Sequence, residues 1–315
     1  MNDLDNIING LRENGIEFLN DEPLSLYTSI KIGGKCDIII FPKDEDELLF
    51  VAGLLRNNSK DYLIVGFGTN TLFRDEGVSF PVISFKKGFQ FIKEINSSEE
   101  ELEGNTANSK IALEVGSGVA LSRVLNYAVK NCLSGCEFFF GIPGTLGGAL
   151  RMNAGSKERV VSNIVESVEI ITGEGAKLNI KKEDLLFSYR NMDIKGVEEG
   201  YFITAATLAL IKSDKSKILE NINIFKERKL RQPLGEYSLG CIFRNPAGNA
   251  AGKIIEEIGF KGFSKGDAVV SDKHANFIIN KGGASAKDIL ELIKNIQKNA
   301  LLQKGVELST EIKIV

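Results

Sequence analysis

Between Gly141 and Gly155 the chain reads GIPGTLGGALRMNAG, with five glycines, one proline and a single charge, Arg151. Each glycine inside a regular helix or strand costs about 0.5–1 kcal/mol relative to alanine, so this run makes a poor core element. It suits close approach instead: backbone without Cβ atoms can lie against a flat or extended ligand, and a helix start near Thr145 would supply N–H donors. Gly141, Pro143, Gly144, Gly147, Gly148, Asn153 and Ala154 are therefore candidate cofactor contacts. A tight turn between core elements is the plainer alternative.

The surrounding pattern indicates what kind of fold holds that run. Leu4 to Leu11 reads as a short helix and CDIIIF, Cys36 to Phe41, as a buried strand. Asp44 to Asn57 reads as a helix capped by Asp44 with acids in its first turn, and DYLIVGFG, from Asp61, as a strand entering a glycine turn. Strand, helix and strand in succession make a small α/β unit, with Gly66 at the carboxyl end of a strand, where such sheets place ligands. VISF, FQFIKEI, IALEVGSG, SVEIIT, AKLNI and YFITAATLALI then read as strands, with a helix from Ala120 to Asn131. After a helical stretch between Ser213 and Arg231, a third segment contains IIEEIGF, ANFIIN and the helix AKDILELIKNIQKNALL. The expected fold class is α+β. The expected parts are residues 1–85, 86–212 and 213–304, with 305–315 as a final strand carrying Glu311.

Composition narrows the function classes. At 315 residues, 43% hydrophobic and 26% charged, the chain can bury a large core. A formal net charge of −3 gives no general pull toward nucleic acid or anionic lipid. The amino terminus MNDLDNIING lacks the basic and apolar regions of a signal peptide. The most apolar run, CEFFFGIPGTLGGAL, is broken by glycines and Pro143 and is too short for a bilayer. A cytoplasmic protein is expected, with no nucleic acid or membrane partner; no feature sets an oligomeric state. Cys36, Cys132, Cys136 and Cys241 are too sparse for a disulfide framework, and with His274 the only histidine a metal site is not expected.

Three further stretches carry candidate chemistry. GFGTNTLFRDEG offers Gly66, Gly68, Thr69 and Asn70 as a nest for an anion, without the lysine of a phosphoryl-transferring P-loop. In FSYRNMD, Arg190 can clamp a carboxylate in a bidentate pair beside the ring and hydroxyl of Tyr189, although on composition alone a solvated surface arginine is the commoner outcome. In YSLGCIFRNP a thiol, Cys241, directly follows Gly240; SDKHANFIIN adds His274, and STEIKIV adds Glu311. Cys241 can donate a proton, His274 can orient or bind an anion, and Glu311 can act as a second acid. Core filling, a satisfied donor and an exposed strand face are the respective alternatives.

In order and spacing, YTSIKIGGKCDI, GFGTNTLFRDEG, LSGCEFFFGIPGTLGGALRMNAG, FSYR, RQPLGEYSLGCIFRNPAGNAAGKIIEEIGFKG and SDKHANFIIN resemble the flavin-dependent UDP-N-acetylenolpyruvoylglucosamine reductases of peptidoglycan precursor synthesis, over nearly the whole chain. The resemblance implies a two-part FAD-binding module similar to the vanillyl-alcohol-oxidase type, followed by a substrate-binding domain, in the shorter subtype without an extra tyrosine-bearing loop. It implies noncovalent FAD near Thr28, Ile32, Gly33, Gly34, the Gly66 loop and Gly141 to Gly155. NADPH is the implied hydride donor and a small nucleotide sugar the substrate. Arg190 and Glu311 match the family's active-site arginine and carboxyl-terminal glutamate. Cys241 stands where the family usually carries the proton-donating serine, and a thiol with a free pKa of about 8.5 is a far stronger acid than an alcohol. Tyr189, Arg228, Gln232, Asn245, His274 and Asn276 are the implied substrate contacts. Met192 and the stretch Ser156 to Arg159 depart from the family pattern and borrow no role. A flavin oxidase of a small hydroxy acid and a noncatalytic nucleotide-sugar binder are the rival classes.

Overall fold

The computed structural model describes residues 3–95, 109–156 and 158–315. Two compact units emerge, each assembled from discontinuous stretches. The first comprises the chain up to Phe18, Ile39–Gly66 and Val82–Glu227; the second comprises Leu19–Ile38, Phe67–Pro81 and Arg228–Val315.

In the first unit, helix α1 (Asp3–Glu13) buries Ile7 and Leu11 and packs against α2 (Glu45–Asn57). The acid-led start of α2 works as its sequence suggests: Asp44 Oδ1 accepts from the Glu47 N–H at 3.0 Å, and Glu45, Asp46 and Glu47 sit at the positive end of the helix dipole. Beside them Val82–Ser84 forms the middle of a parallel ladder, with Ile39 and Leu63 both opposite Val82. Leu63–Val65 ends at Gly66, so this glycine does follow the carboxyl end of a parallel strand.

The larger part of this unit is an antiparallel sheet in the order Lys177–Lys181, Val165–Ile171, Phe202–Lys212, Lys110–Gly116, Ile92–Ile95, with Leu133–Ser134 also pairing the long central strand. Period-two alternation divides its faces. Leu113, Val115, Val168, Ile170, Ala206 and Leu208 point into one core with Val124 and Leu125 of α3 (Leu121–Lys130) and Leu146, Ala149 and Leu150 of α4 (Leu146–Arg151). The core face thus carries the glycine-rich segment. FSYRNMD, which sequence reading left without regular structure, lies in a separate two-stranded hairpin of Leu185–Ser188 and Asn191–Ile194. Helix α5 (Lys215–Lys229) closes the unit.

The second unit has an antiparallel sheet in the order Tyr237–Ser238, Ile278–Asn280, Ala268–Val270, Ser264–Lys265. Against it lie α6 (Ala251–Glu257) and α7 (Ala286–Lys304), which share a core of Ile254, Ile255, Ile278, Ile289, Leu292, Ile293 and Ile296 with Ile30, Ile32 and Leu72. A capping box of Ser285 and Asp288 starts α7, and Gly305 ends it in the left-handed region at φ 65°. The chain terminus joins the unit as a short parallel strand, with Lys313 opposite Thr71 and Ile314 opposite Leu72.

Candidate active site

The second unit gathers residues that are far apart in the sequence. Gly240 takes φ 74°, a left-handed conformation that leaves the half-buried Cys241 at the head of the segment Ile242–Arg244. That segment is held on both sides. The Ile242 N–H donates to the Asn276 carbonyl at 2.8 Å, while the Ile242 carbonyl accepts from the Glu311 N–H, also at 2.8 Å. Arg244 N–H donates to the Ser309 carbonyl at 2.9 Å, and Phe243 bridges Thr310. Cys241 and Glu311 therefore flank one short backbone pairing, although they are seventy residues apart in sequence.

Asn276, 2% exposed, acts like a stretch of strand. Its Oδ1 accepts from the Phe243 N–H at 2.9 Å and its Nδ2 donates to the Phe243 carbonyl at 2.8 Å. Neighbouring His274 accepts from the Asn276 N–H through Nδ1 at 3.3 Å, which leaves Nε2 to carry the proton of the neutral ring. Burial holds its pKa below the usual histidine value, against an opposing contribution from a backbone hydrogen bond. Asn245, exposed, accepts from the Ala251 N–H at 3.0 Å and so supports the start of α6. Arg228 is exposed and Gln232 half-buried.

Some of the loops expected at the cofactor lie in the same unit. Ser29 N–H donates to the Gly68 carbonyl at 3.2 Å, and a Cβ on Gly68 would stand 2.1 Å from the Tyr27 carbonyl oxygen. Only glycine permits that approach. Thr28 is 2% exposed and its hydroxyl donates to the Ile32 carbonyl at 3.0 Å, which shapes the turn leading to Gly33 and Gly34. Asn70 reaches the Glu311 segment: Nδ2 donates to the Glu311 carbonyl at 3.3 Å and the Asn70 carbonyl accepts from Lys313 N–H at 2.8 Å. Thr69 lies between these two anchored residues.

The first unit holds the rest. Thr145 caps α4, its Oγ1 accepting from the Gly148 N–H at 3.4 Å, and a Cβ on Gly66 would come within 2.5 Å of that same oxygen. The N–H groups of Leu146 and Gly147 donate to the carbonyls of Val119 and Ser117, both at 2.9 Å. The first turn of α4, expected to offer donors to a ligand, commits these three within the protein. Another group lies beside them. Among the described residues, the one buried side-chain polar atom without a hydrogen-bond partner is Ser117 Oγ, in a residue 2% exposed whose carbonyl anchors Gly147. Leaving a buried hydroxyl unpaired costs about 1–3 kcal/mol, so a polar group of a bound cofactor fits there.

Two family descriptions match the chain. Residues 36–181 match the FAD binding domain, and residues 232–315 match the UDP-N-acetylenolpyruvoylglucosamine reductase C-terminal domain. A UDP-N-acetylenolpyruvoylglucosamine reductase from Clostridium novyi is 41% identical over 95% of this chain and 92% of its own, and one from Clostridium tetani is 40% identical over 100% and 98%. This chain belongs to the UDP-N-acetylenolpyruvoylglucosamine reductase family. The crystal structure of the UDP-N-acetylenolpyruvylglucosamine reductase from Thermus caldophilus agrees in fold at TM-score 0.77, with 32% identity over 95% of this chain and 98% of that one. The α+β fold and the FAD-binding module expected from the sequence are those of the reductase family.

Placed in that family, the hairpin of the first unit takes on meaning. Ser188 pairs with Asn191, so Tyr189 and Arg190 form a two-residue turn, with Arg190 at φ 58°. A non-glycine residue in the left-handed region carries strain that functional sites often retain. Arg190 is half-buried, its guanidinium lies 5.3 Å from the Tyr189 ring centroid, and its Nη1 donates to the Gly155 carbonyl at 3.3 Å. Asn153, 8% exposed, uses its amide within the protein, with Nδ2 donating to the Ser188 carbonyl at 3.1 Å and Oδ1 accepting from Ser162 N–H at 3.2 Å. Met192, where the reductase pattern is not followed, is fully buried. Of the departing stretch Ser156 to Arg159, Lys157 lies outside the described residues.

Sequence reading overlooked Ser117, whose only signal was its place between two glycines in VGSG. It overlooked Arg151 as well, noted only as the sole charge of its segment. A cavity of about 300 Å³ on the opposite face of the large sheet, lined by Lys43, Glu45, Lys93, Glu114 and Glu169, contains none of the expected site residues. Burial and the nearby Glu114 and Glu45 hold the Glu169 carboxyl above its usual pKa.

Proposed function

We infer that this chain reduces UDP-N-acetylglucosamine enolpyruvate to UDP-N-acetylmuramate with electrons from NADPH, in peptidoglycan precursor synthesis. The observation that carries the reading is the pairing of the Cys241 loop with the Glu311 segment in a member of the reductase family that covers 98% of a relative's length. No helix among the described residues is long and apolar enough to cross a membrane, and we place the reaction in the cytoplasm. Residues 1–85 and 86–212 serve FAD, and 213–304 with the terminal segment 305–315, of which only Lys313–Ile314 is strand, serves the substrate.

When bound, FAD supplies the hydride relay between NADPH and the methylene carbon of the enolpyruvyl ether. Thr28, Ile32, Gly33, Gly34, Gly66 to Asn70, the Gly141 to Ala154 backbone and the Ser117 hydroxyl would hold it without a covalent bond. Hydride arrival leaves negative charge on the carbon next to the substrate carboxylate. Arg190 offers a fixed positive fork to that carboxylate, a preorganised electrostatic role worth a few kcal/mol, about 2.7–4 for a single donor in well-studied sites. Cys241 delivers the proton that quenches the charge, Glu311 assists as an acid, and the thiolate regains its proton from solvent at the end of the cycle. General acid catalysis of this kind contributes about 10²- to 10⁴-fold. Tyr189, Arg228, Gln232, Asn245 and His274 line the nucleotide-sugar path in this reading. Asn276, with both ends of its amide on Phe243, supports the site by bracing the Cys241 loop.

The deciding experiment is anaerobic. The purified protein should be yellow, bleach with NADPH and regain its colour when UDP-N-acetylglucosamine enolpyruvate is added. A bleached protein that ignores the enolpyruvyl ether but recovers rapidly in air would overturn this reading in favour of an oxidase.

A further inference from the structure

A two-stranded hairpin is marginally stable alone, and Leu185–Ile194 forms no ladder with the large sheet. Its strands are anchored by Leu185, Met192 and Ile194 in the core of the unit, and the polar contacts around its Tyr189–Arg190 tip include those from one short stretch, Arg151 to Gly155. Asn153 holds the Ser188 carbonyl, and the Gly155 carbonyl holds Arg190 Nη1. Arg151, the last residue of α4, takes the returning strand: its Nη1 donates to the Met192 carbonyl at 2.9 Å and to the Tyr201 hydroxyl at 2.8 Å, while Nη2 meets Glu199 Oε1 at 3.0 Å. Its guanidinium also lies 5.7 Å from the Tyr201 ring centroid, and Asp193 Oδ1 is 3.7 Å from Nη1.

We propose that Arg151 is a positioning residue for Arg190, transmitting the placement of the flavin-binding helix α4 to the hairpin tip that meets the substrate. The proposal rests on the role given to Arg190 above. The contacts are unequal in weight. Glu199 and Asp193 have side chains 86% and 54% exposed, so these ion pairs are screened and contribute little. The bonds to the Met192 carbonyl and Tyr201 hydroxyl are part-buried and both come from Nη1. An ammonium group has donors enough for these two but lacks the planar second nitrogen that meets Glu199.

The test uses the flavin-loaded protein, reduced with dithionite under anaerobic conditions, and follows single-turnover recovery of flavin absorbance with UDP-N-acetylglucosamine enolpyruvate. Calorimetry of the same compound on the oxidised protein gives its Kd. Arg151→Met should slow recovery and raise Kd at least ten-fold, Arg151→Lys should fall between Met and wild type, and Glu199→Gln should stay within two-fold of wild type. Flavin content and thermal midpoint should remain those of the wild type throughout. Wild-type recovery and Kd in Arg151→Met overturn the proposal. Arg190→Met separates the two ways of failing: if it is slow while Arg151→Met is normal, only the coupling is wrong, and if it too is normal, the role of Arg190 falls and the coupling with it. Should Arg151→Met not retain flavin, Arg151→Lys and Tyr201→Phe take its place, with a smaller loss of the same sign expected and wild-type behaviour in both overturning the coupling.

Discussion

The N–H of Glu311 donates to the carbonyl of Ile242 at 2.8 Å, so the carboxyl-terminal acid is registered by backbone geometry to the residue after the Cys241 thiol. A backbone tie of this kind does not depend on side-chain rotamers. Movement of one partner carries the other with it, as the proton-transfer roles proposed for Cys241 and Glu311 require.

In the proposed chemistry Cys241 takes the place of a hydroxyl, and a hydroxyl should therefore be able to return. Cys241→Ser is expected to retain turnover within about ten-fold, whereas Cys241→Ala should lose about 10²-fold or more in the recovery step. Alkylation should distinguish the thiols too. Burial pushes Cys36 up to about 11 and Cys136 up to about 12, and both are 1% exposed, so neither should react in the folded protein. Mass spectrometry after iodoacetamide treatment checks both points; labelling of Cys241 that bound substrate fails to slow would remove it from the site.

Ser117 should respond with opposite signs in the two forms of the protein. Ser117→Ala removes an unpaired buried hydroxyl, so the flavin-free protein should gain about 1–3 kcal/mol in urea unfolding. The loaded protein should release FAD more readily, read by fluorescence of the freed flavin. An unchanged FAD affinity would mean that the hydroxyl faces no cofactor group.

Asn276 tests the brace. Asn276→Ala leaves the buried N–H and carbonyl of Phe243 without partners and should destabilise by roughly 2–5 kcal/mol. Asn276→Asp keeps the acceptor for the N–H but sets a carboxylate against the carbonyl, and should also be destabilised. Urea unfolding midpoints measure both, and equal stability of all three proteins would count against the brace.

His274 predicts a pH window. Its folded pKa is depressed by burial, so the neutral ring contributes stability that is fully present above the unfolded value of about 6.5 and is lost as pH falls through the folded value. Thermal midpoints of wild type and His274→Gln should therefore run parallel above pH 7 and converge as the pH is lowered below 6.5. A constant difference from pH 7.5 to 5 would show that the ring is not buried neutral.

Much of the fold was readable because local rules and tertiary packing agree. The acid-rich start of α2, the alternating Leu113–Glu114–Val115 of its strand and the long amphipathic α7 need no distant partner to declare themselves. Strands as short as Thr71–Leu72 and Lys313–Ile314 were not readable, since two residues carry no period and exist only because each supplies the other's hydrogen bonds. The hairpin at Tyr189–Arg190 was missed because its turn places an arginine, not a glycine or asparagine, at positive φ.

By itself the sequence determined which chemical groups are present: the glycine-rich cofactor segment, the Tyr189–Arg190 pair, a thiol in a serine's place and a glutamate near the end. Their order also marks the family. Only the tertiary structure decided how those groups are used. It turned Asn153 and Asn276 from apparent ligand contacts into internal clamps, committed the first N–H groups of α4 to the protein, and left Ser117 buried and unpaired. The physical reason is that nearly all buried donors and acceptors take a partner, from the protein or from a bound group. Which partner it finds depends on residues brought near by folding, and linear spacing does not record that.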